Sequence, residues 1–76
     1  MSSPRKLNLC GPSIRKIRTA LGLSQADLAA RCQRAEWDVS RDVIARIEGQ
    51  RRWVGDLELV HLADVLQVDV RELLRR

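Results

Sequence analysis

The stretch SQADLAARCQRAEWDVSRDVIARIEGQRR, residues 24–52, decides the fold. It indicates two helices joined by a short connection, with arginines concentrated in the second helix and in the loop that follows. Ser24 with Asp27 three residues later resembles a capping box, so the first of these helices should begin there. Ser40 is a suitable N-cap for the second helix, which Gly49 should end. A helix that carries several arginines on its outward side is suited to contact with an acidic partner.

The composition indicates one small helical domain. The chain has 76 residues, of which 45% are hydrophobic, and its two aromatic residues are both Trp. A chain of this length holds a single core. A core built from Leu, Ile, Val and Ala suits packed helices better than a sheet. We therefore predict an all-α domain without a large enclosed active site and without a separate domain for a small-molecule ligand.

The charge of the chain is positive and unevenly distributed. Fourteen Lys and Arg residues against ten Asp and Glu residues give a net charge of +4. Residues 1–34 contain seven basic residues and one acidic residue, whereas residues 56–76 contain three basic and five acidic residues. A basic surface attracts polyanions at long range. Double-stranded DNA is therefore the partner that we expect, with an acidic protein partner as the alternative.

The cysteines and the single histidine favour neither a metal site nor a disulfide framework. Cys10 and Cys32 are far apart, no C-x-x-C occurs, and His61 has no second histidine beside it. No cofactor is expected. No apolar run approaches the roughly 18 residues that span a bilayer, and the N-terminus does not resemble a signal peptide. We expect a cytoplasmic protein with no membrane partner.

Apolar spacing predicts three further helices. Pro12 suits the first position of helix 1, Asp56 should cap helix 4, and residues 70–74 should form a last short turn. Residues 1–11 lack helical periodicity and are predicted to form a flexible arm, with residues 12–76 as the folded domain. The apolar residues predicted to face the core are Ile14, Ile17, Leu21, Leu28, Ala29, Cys32, Val43, Ile44, Ile47, Leu59, Leu62, Ala63, Leu66, Leu73 and Leu74.

Three blocks of the sequence, IRKIRTALGLSQADLA, SRDVIARIEG and LELVHLADVLQVDVRELL, have the order and spacing of helices in a known family. They resemble the helix-turn-helix proteins of the lambdoid phage repressors and the xenobiotic-response-element (XRE) type regulators, over roughly residues 13–74. The resemblance implies a compact bundle of five helices of the lambda-repressor-like DNA-binding type.

The connection between helices 2 and 3 departs from the family pattern. The family has a turn of three or four residues with a glycine, whereas this chain has about four residues more and no glycine. Because four residues are close to one helical turn, helix 2 can continue through Arg34 or Ala35 without rotating its buried face. We predict one added turn, with Trp37 closing the corner. Gln67 also stands where the family often has Gly after helix 4.

The resemblance implies that Ser40, Arg41, Asp42 and Arg46 read the edges of bases in the major groove. Arginine can donate two hydrogen bonds to guanine O6 and N7, so Arg41 and Arg46 predict G in the site. A solvated helix face is the alternative for both arginines. Asp42 could accept from cytosine N4, but its favoured interpretation is an ion pair with Arg46, four residues later.

The resemblance also implies contacts with the DNA backbone. Gln25 opens helix 2 where members of the family contact a phosphate, and the N-terminus of a helix favours an anion. Gln50, Arg51 and Arg52 follow helix 3 and are predicted to clamp the backbone as a basic loop. The alternatives are an ordinary surface position for Gln25 and a solvated charge cluster for the loop.

Five other residues are assigned structural roles. Arg18 and Glu48 occupy positions that pair in phage repressors, so we expect an ion pair between helix 1 and the end of helix 3. Trp37 and Trp53 are both predicted to pack, with a dimer interface as the alternative for Trp53. His61 lacks a carboxylate or second ligand nearby and is assigned a surface or boundary position.

Together these residues predict a sequence-specific DNA-binding protein, a small transcriptional regulator that acts as a homodimer on a palindromic operator. One recognition helix reads few base pairs, and a mismatch costs about 1–3 kcal/mol, so two half-sites are needed. The less basic C-terminal helices are the expected interface. An antitoxin or a restriction-modification controller, and a protein-interaction module that does not read DNA, are the alternatives. No nucleophile and base, metal cluster or phosphate loop indicates an enzyme.

Overall fold

Five helices form the part of the chain that the computed structural model describes, residues 5–75. They are α1 (Gly11–Ala20), α2 (Gln25–Arg34), α3 (Arg41–Glu48), α4 (Asp56–Leu66) and α5 (Val70–Leu73). α3 packs against α1 and α2, and α4 packs against α1, α2 and α5. The predicted five-helix, all-α fold is confirmed. None of these helices is long and apolar enough to cross a membrane.

The core lies where the five helices meet, and it is almost entirely aliphatic. Its fully buried large side chains are Ile14, Leu28, Ile44, Ile47, Leu62, Leu66, Leu73, Cys10 and Cys32. Two predicted core positions are wrong, because Leu21 is 49% exposed and Leu74 is 45% exposed. Both lie just past the end of a helix, where the chain leaves the helical periodicity that defines the buried side.

Both cysteines are part of this core. Cys10 lies at the start of α1 and Cys32 in α2, and neither forms a disulfide. Burial raises the pKa of the Cys10 thiol and raises the pKa of Cys32 to about 11. Within residues 5–75, no three His, Cys, Asp or Glu side chains lie close enough together to hold a metal ion.

Side-chain caps begin α2 and α3 as the sequence predicts. The Asp27 N–H donates to the Ser24 hydroxyl at 3.0 Å, and the Ser24 N–H donates to the Asp27 carboxylate at 2.9 Å. The Ser40 hydroxyl accepts from the Val43 N–H at 3.3 Å. These contacts satisfy N–H groups that have no partner within the helix, which fixes where each helix starts.

The starts of α1 and α4 each differ from the prediction by one residue. α1 begins at Gly11 rather than Pro12. The N-cap of α4 is Gly55, and Asp56 is the first helical residue, so the prediction of an Asp56 cap is wrong. The carboxylate of Glu58 accepts from the Gly55 N–H at 3.4 Å, which is the half of a capping box that does not require a side chain on the N-cap residue.

The first four helices end in the same turn, a Schellman motif. In each, one residue adopts a positive φ, and the N–H of the next residue donates to a carbonyl five residues earlier. The residues with positive φ are Gly22 (74°), Glu36 (66°), Gln50 (61°) and Gln67 (58°). The closing bonds, 2.9–3.0 Å long, are Leu23 to Arg18, Trp37 to Cys32, Arg51 to Arg46 and Val68 to Ala63. Only the first of these turns uses the glycine that this conformation favours.

The connection between α2 and α3 contains the added helical turn that the sequence predicts. α2 continues through Arg34, and Glu36 provides the left-handed residue that ends it. The half-buried Trp37 follows and packs against the core. Its ring also stacks on the ring of His61 in α4, with centroids 5.9 Å apart. The buried residues of α2 are Leu28, Ala29 and Cys32, the three that the sequence predicts.

Residues 7–11 are attached to the end of α3. The Leu7 N–H donates to the Gln50 carbonyl at 3.0 Å, and Cys10 and Gly11 are buried. A Cβ atom on Gly11 would clash with the Ile47 carbonyl, so the close approach of α1 to α3 requires glycine here. Residues 7–11 thus contact the helical domain, positions 1–4 lie outside the described residues, and the flexible arm over residues 1–11 stays a prediction.

Candidate nucleic-acid interface

The outward side of α3 and the loop after it form one continuous surface. Ser40, Arg41, Asp42 and Arg46 are all exposed at or along α3. A solvent-open depression of about 360 Å³ lies between α3 and the loop, lined by Asp42, Ala45, Arg46 and Arg51. The structure therefore brings the four residues predicted to read bases to one side of the molecule and places Arg51 beside them.

The prediction of an ion pair between Asp42 and Arg46 is wrong. The carboxylate of Asp42 lies 3.6 Å from the guanidinium of Arg41, and Arg46 forms no salt bridge within residues 5–75. A spacing of four residues permits such a pair but does not require it, since an exposed ion pair contributes little free energy. The side chain of Arg46 instead lines the depression with Arg51.

A buried ion pair holds α3 against α1. The Arg18 guanidinium donates two hydrogen bonds to the Glu48 carboxylate, from Nε at 2.6 Å and from Nη2 at 2.9 Å. Its Nη1 donates to the Leu23 carbonyl at 2.8 Å. The hydrogen bonds to Glu48 raise the pKa of Arg18. The structure thus brings together the two residues whose pairing the resemblance implies.

Gln25 lies beside this ion pair at the first position of α2. Its side-chain Nε2 donates to the Glu48 carboxylate at 3.1 Å. The amide group carries two hydrogens, so one remains to donate to an anion. The ion pair therefore orients Gln25 at the N-terminus of α2, where backbone N–H groups and the helix dipole favour a phosphate.

The basic loop divides into one free side chain and two engaged ones. The Gln50 side chain donates to the Asn8 carbonyl at 3.0 Å. The Arg52 guanidinium donates to both oxygens of Glu58, at 2.8 and 3.1 Å. This contact raises the pKa of Arg52 and lowers the pKa of Glu58. Arg51 alone of the three is exposed and forms no salt bridge within residues 5–75.

The sequence prediction missed Asn8, which connects the loop to the body of the protein. Its Nδ2 donates to the Ile47 carbonyl at 3.0 Å and to the Arg52 carbonyl at 2.8 Å. Its Oδ1 accepts from the Gly11 N–H at 2.9 Å. The last of these bonds has the spacing of an N-cap, which is a local signal. The first two cross some forty residues of chain and leave no pattern in the sequence.

An apolar groove lies on the side of the molecule formed by residues 7–10, the α3–α4 loop and α5. Its volume is about 330 Å³, and its apolar lining residues are Leu7, Leu9, Trp53, Val54, Leu59 and Leu74. Trp53 is 71% exposed, so the prediction that it packs within the protein is wrong, whereas the packing of Trp37 is confirmed. Trp53 lies in the connection before α4, which runs over the surface of the core.

Comparisons with known proteins agree with this architecture. The model of the helix-turn-helix family of XRE type matches residues 14–73. The restriction-modification controller protein C.AhdI from Aeromonas hydrophila is 33% identical, with 83% of this chain and 84% of that chain covered and a TM-score of 0.72. The DNA-binding domain of BldD is 30% identical, with 97% and 100% covered and a TM-score of 0.76. Among curated proteins, none matches significantly. The chain belongs to the helix-turn-helix family of XRE type, whose members are DNA-binding transcription regulators.

Proposed function

We propose that the protein recognises one DNA sequence with α3 in the major groove and regulates transcription as a homodimer on a palindromic operator. The observation that carries this proposal is the exposed side of α3, where Arg41 and Arg46 lie without a buried acidic partner. A helix fits the major groove of B-DNA, where the edges of the bases are distinguishable. The residues that reach them lie at the N-terminal end of such a helix and, one turn on, along its exposed side.

Arg46 is the first candidate for direct base reading. It is exposed and forms no salt bridge within the described chain, so its guanidinium can donate two hydrogen bonds to guanine without first leaving an acid. Arg41 shares a 3.6 Å contact with the exposed Asp42, a pair weak enough to exchange for a base. Ser40 and Asp42 lie at the same end of α3 and complete the reading surface.

Two contacts with the DNA backbone would flank α3 and set its register. Gln25 at the N-terminus of α2 provides one, since its second amide hydrogen and the helix N–H groups can donate to a phosphate. Arg51 provides the other, beyond the C-terminal end of α3. Gln50 and Arg52 support this second contact from within the loop. Phosphate contacts on both sides of a recognition helix position it without reading sequence.

The apolar groove and its surroundings support a homodimer. Trp53, which lines the groove, is 71% exposed, and an exposed large apolar side chain beside an apolar groove is typical of an interface. A two-fold interface needs a surface that is complementary to itself. A groove beside a projecting indole meets that requirement, because Trp53 of one protomer can enter the groove of its partner.

Fluorescence anisotropy tests the proposal directly. The protein is titrated onto the DNA upstream of its own gene and onto a scrambled duplex, each at two salt concentrations. We expect tighter binding to the native duplex that persists at the higher salt. The Arg46→Ala variant should lose this preference, while the control Arg71→Ala, an exposed arginine of α5 paired with Asp69, should keep it. Equal binding to both duplexes that salt abolishes would contradict sequence reading and favour a protein-interaction module.

A restriction-modification controller is the second candidate within the same class. The observation that favours it is the 33% identity to the controller protein C.AhdI over most of both chains. The neighbouring genes decide between the candidates, because a controller should lie beside a methyltransferase and an endonuclease. A toxin gene in that place would instead indicate an antitoxin.

A further inference from the structure

We propose that Asn8 is a positioning residue for DNA binding. Its side-chain amide holds the loop of residues 49–52 in the conformation that presents Arg51 to a phosphate of the DNA backbone. This inference rests on the proposed function, because it assumes that Arg51 contacts a DNA phosphate. Asn8 lies outside the helix-turn-helix elements, and it would affect DNA binding only through the position of Arg51.

The hydrogen bonds of Asn8 bridge the two ends of the loop. Nδ2 donates one hydrogen to the Ile47 carbonyl in the last turn of α3, at 3.0 Å, and the other to the Arg52 carbonyl, at 2.8 Å. Oδ1 accepts from the Gly11 N–H in the first turn of α1, at 2.9 Å. One amide group therefore connects α1, the end of α3 and the far end of the loop.

Two more bonds join the same segments. The Leu7 N–H donates to the Gln50 carbonyl, and the Gln50 side chain donates to the Asn8 carbonyl, both at 3.0 Å. Residues 7 and 8 thus contact the loop through three hydrogen bonds and the last turn of α3 through a fourth. The loop lies between this segment and α4, where Glu58 holds the Arg52 guanidinium.

External contacts stabilise the loop, because the backbone conformation of Gln50 is unfavourable for a residue with a side chain. Gln50 has φ of 61°, a conformation that costs a residue with a Cβ atom free energy and that glycine adopts readily. The Arg51 N–H closes the turn onto the Arg46 carbonyl at 2.9 Å only when Gln50 adopts this conformation. Without Asn8, the chain would populate other conformations of residues 49–52.

Arg51 lies between the two held ends of the loop, so its backbone position follows from theirs. The Arg51 side chain loses conformational entropy when it binds a phosphate. If the backbone of the loop is already fixed, no further entropy is lost in ordering the backbone on binding. Only an amide meets the requirement at residue 8. An aspartate could accept from Gly11 but could donate to neither carbonyl, and an alanine would leave both carbonyls without this donor.

A double-mutant cycle tests the coupling. Affinities for the native duplex are measured by anisotropy for the wild type, Asn8→Ala, Arg51→Ala and the double variant. We expect Asn8→Ala to weaken binding about fivefold to tenfold in the wild-type background and less than about twofold in the Arg51→Ala background. An equal loss in both backgrounds would show that Asn8 acts independently of Arg51 and would overturn the proposal.

Hydrogen exchange of the free protein provides a second readout that does not depend on DNA. Asn8→Ala should accelerate exchange of the Arg51 amide relative to amides in α4. The control variant is Ile14→Val, which removes one methyl group from the core. It should not change exchange of the Arg51 amide relative to the α4 amides, and its affinity for DNA should be close to that of the wild type. Unchanged exchange at Arg51 in Asn8→Ala would contradict the positioning role.

The two experiments also separate this inference from the proposed function. If the wild-type protein prefers its native duplex but the affinity losses of Asn8→Ala and Arg51→Ala are additive, only the role of Asn8 is overturned. A wild-type protein that shows no preference between duplexes would overturn the proposed function and, with it, the positioning of Arg51 for DNA. Faster exchange at Arg51 in the variant would then report only the structural bond.

Discussion

Arg18 and Glu48 form a two-bond ion pair that joins α1 to the last residue of α3. The bonds are 2.6 and 2.9 Å long, and the side chains are 10% and 3% exposed. Gln25 of α2 donates to the same carboxylate. Three helices therefore meet on one buried carboxylate, which fixes the C-terminal end of α3 relative to α1 and α2.

Replacement of Glu48 by Ala should destabilise the protein strongly. The variant leaves the Arg18 guanidinium buried without its acidic partner, and such a loss costs about 3–5 kcal/mol of unfolding free energy. Urea unfolding measures it. The control is Glu72→Ala, which removes the exposed pair with Arg75 and should change the free energy by about 0–1 kcal/mol. A Glu48→Ala melt that matches the wild type would show that the pair contributes nothing.

Gly11 and Gly55 should respond oppositely to alanine. A Cβ on Gly11 would clash with the Ile47 carbonyl and lie 2.8 Å from the Glu48 carbonyl, both of them rigid backbone. We expect Gly11→Ala to cost about 1–3 kcal/mol, as overpacking in a core does. At Gly55 no atom lies within 4 Å of the added Cβ, so Gly55→Ala should be neutral or stabilising. Thermal unfolding of the two variants compares them, and equal melting temperatures would contradict the close approach of α1 to α3.

Glycine at position 67 should stabilise the protein. Gln67 ends α4 with φ of 58°, and glycine relieves the steric cost of that conformation. The expected gain is about 0.5–1 kcal/mol. The reciprocal change is Gly22→Ala, at φ of 74° with no neighbour within 4 Å, which should lose about 1 kcal/mol through the backbone alone. A lower stability of Gln67→Gly than of the wild type would mean that the Gln67 side chain contributes more than its backbone costs.

Arg51 and Arg52 should differ in their effects on DNA binding. Arg51→Ala should weaken binding to native and scrambled duplexes alike and reduce the slope of log K against log salt by about 1. Arg52 is held by Glu58, so Arg52→Ala should mainly reduce stability, by about 0.5–1 kcal/mol at this partly exposed site. Salt titrations combined with urea unfolding separate the two effects. Identical salt slopes for wild type and Arg51→Ala would contradict the phosphate contact.

Stability should fall in acid partly through Glu58. Hydrogen bonds from Arg52, and then from the Gly55 N–H, lower the pKa of Glu58 below its ordinary value. A carboxyl with a lowered pKa in the folded state stabilises the protein above its unfolded pKa, about 4.3, and loses that contribution as pH falls through the folded value. Urea unfolding at pH 7 and at about pH 3 should show a difference between wild type and Glu58→Gln that shrinks in acid. A constant difference would contradict the ionic contribution.

Local patterns were sufficient to predict the helices and two of their caps. Ser24 and Ser40 cap the predicted helices because a hydroxyl meets a helix N–H within three residues, a relation visible in sequence. The added turn of α2 was also predictable, since the number of inserted residues matches one turn of helix. The family resemblance, more than any spacing, indicated the pair of Arg18 and Glu48.

Contacts between distant segments were not predictable in this way. Nothing in the loop sequence distinguishes Arg51 from Arg52. They differ because Glu58 of α4 lies where it forms a salt bridge with Arg52. The bonds from Asn8 to Ile47 and Arg52 depend on how α1 docks against α3. Trp53 lies in the loop between α3 and α4 and is 71% exposed, which no local pattern in the sequence indicates.

The two buried thiols make the protein suitable for site-specific labelling. Cys10 and Cys32 are 2% and 0% exposed, and their raised pKa values keep them protonated at neutral pH. A maleimide requires an accessible thiolate, so neither native cysteine should compete with one introduced at an exposed position such as Asp64 of α4. An Asp64→Cys variant would therefore carry a single dye or spin label at a known position, with both natural cysteines in place.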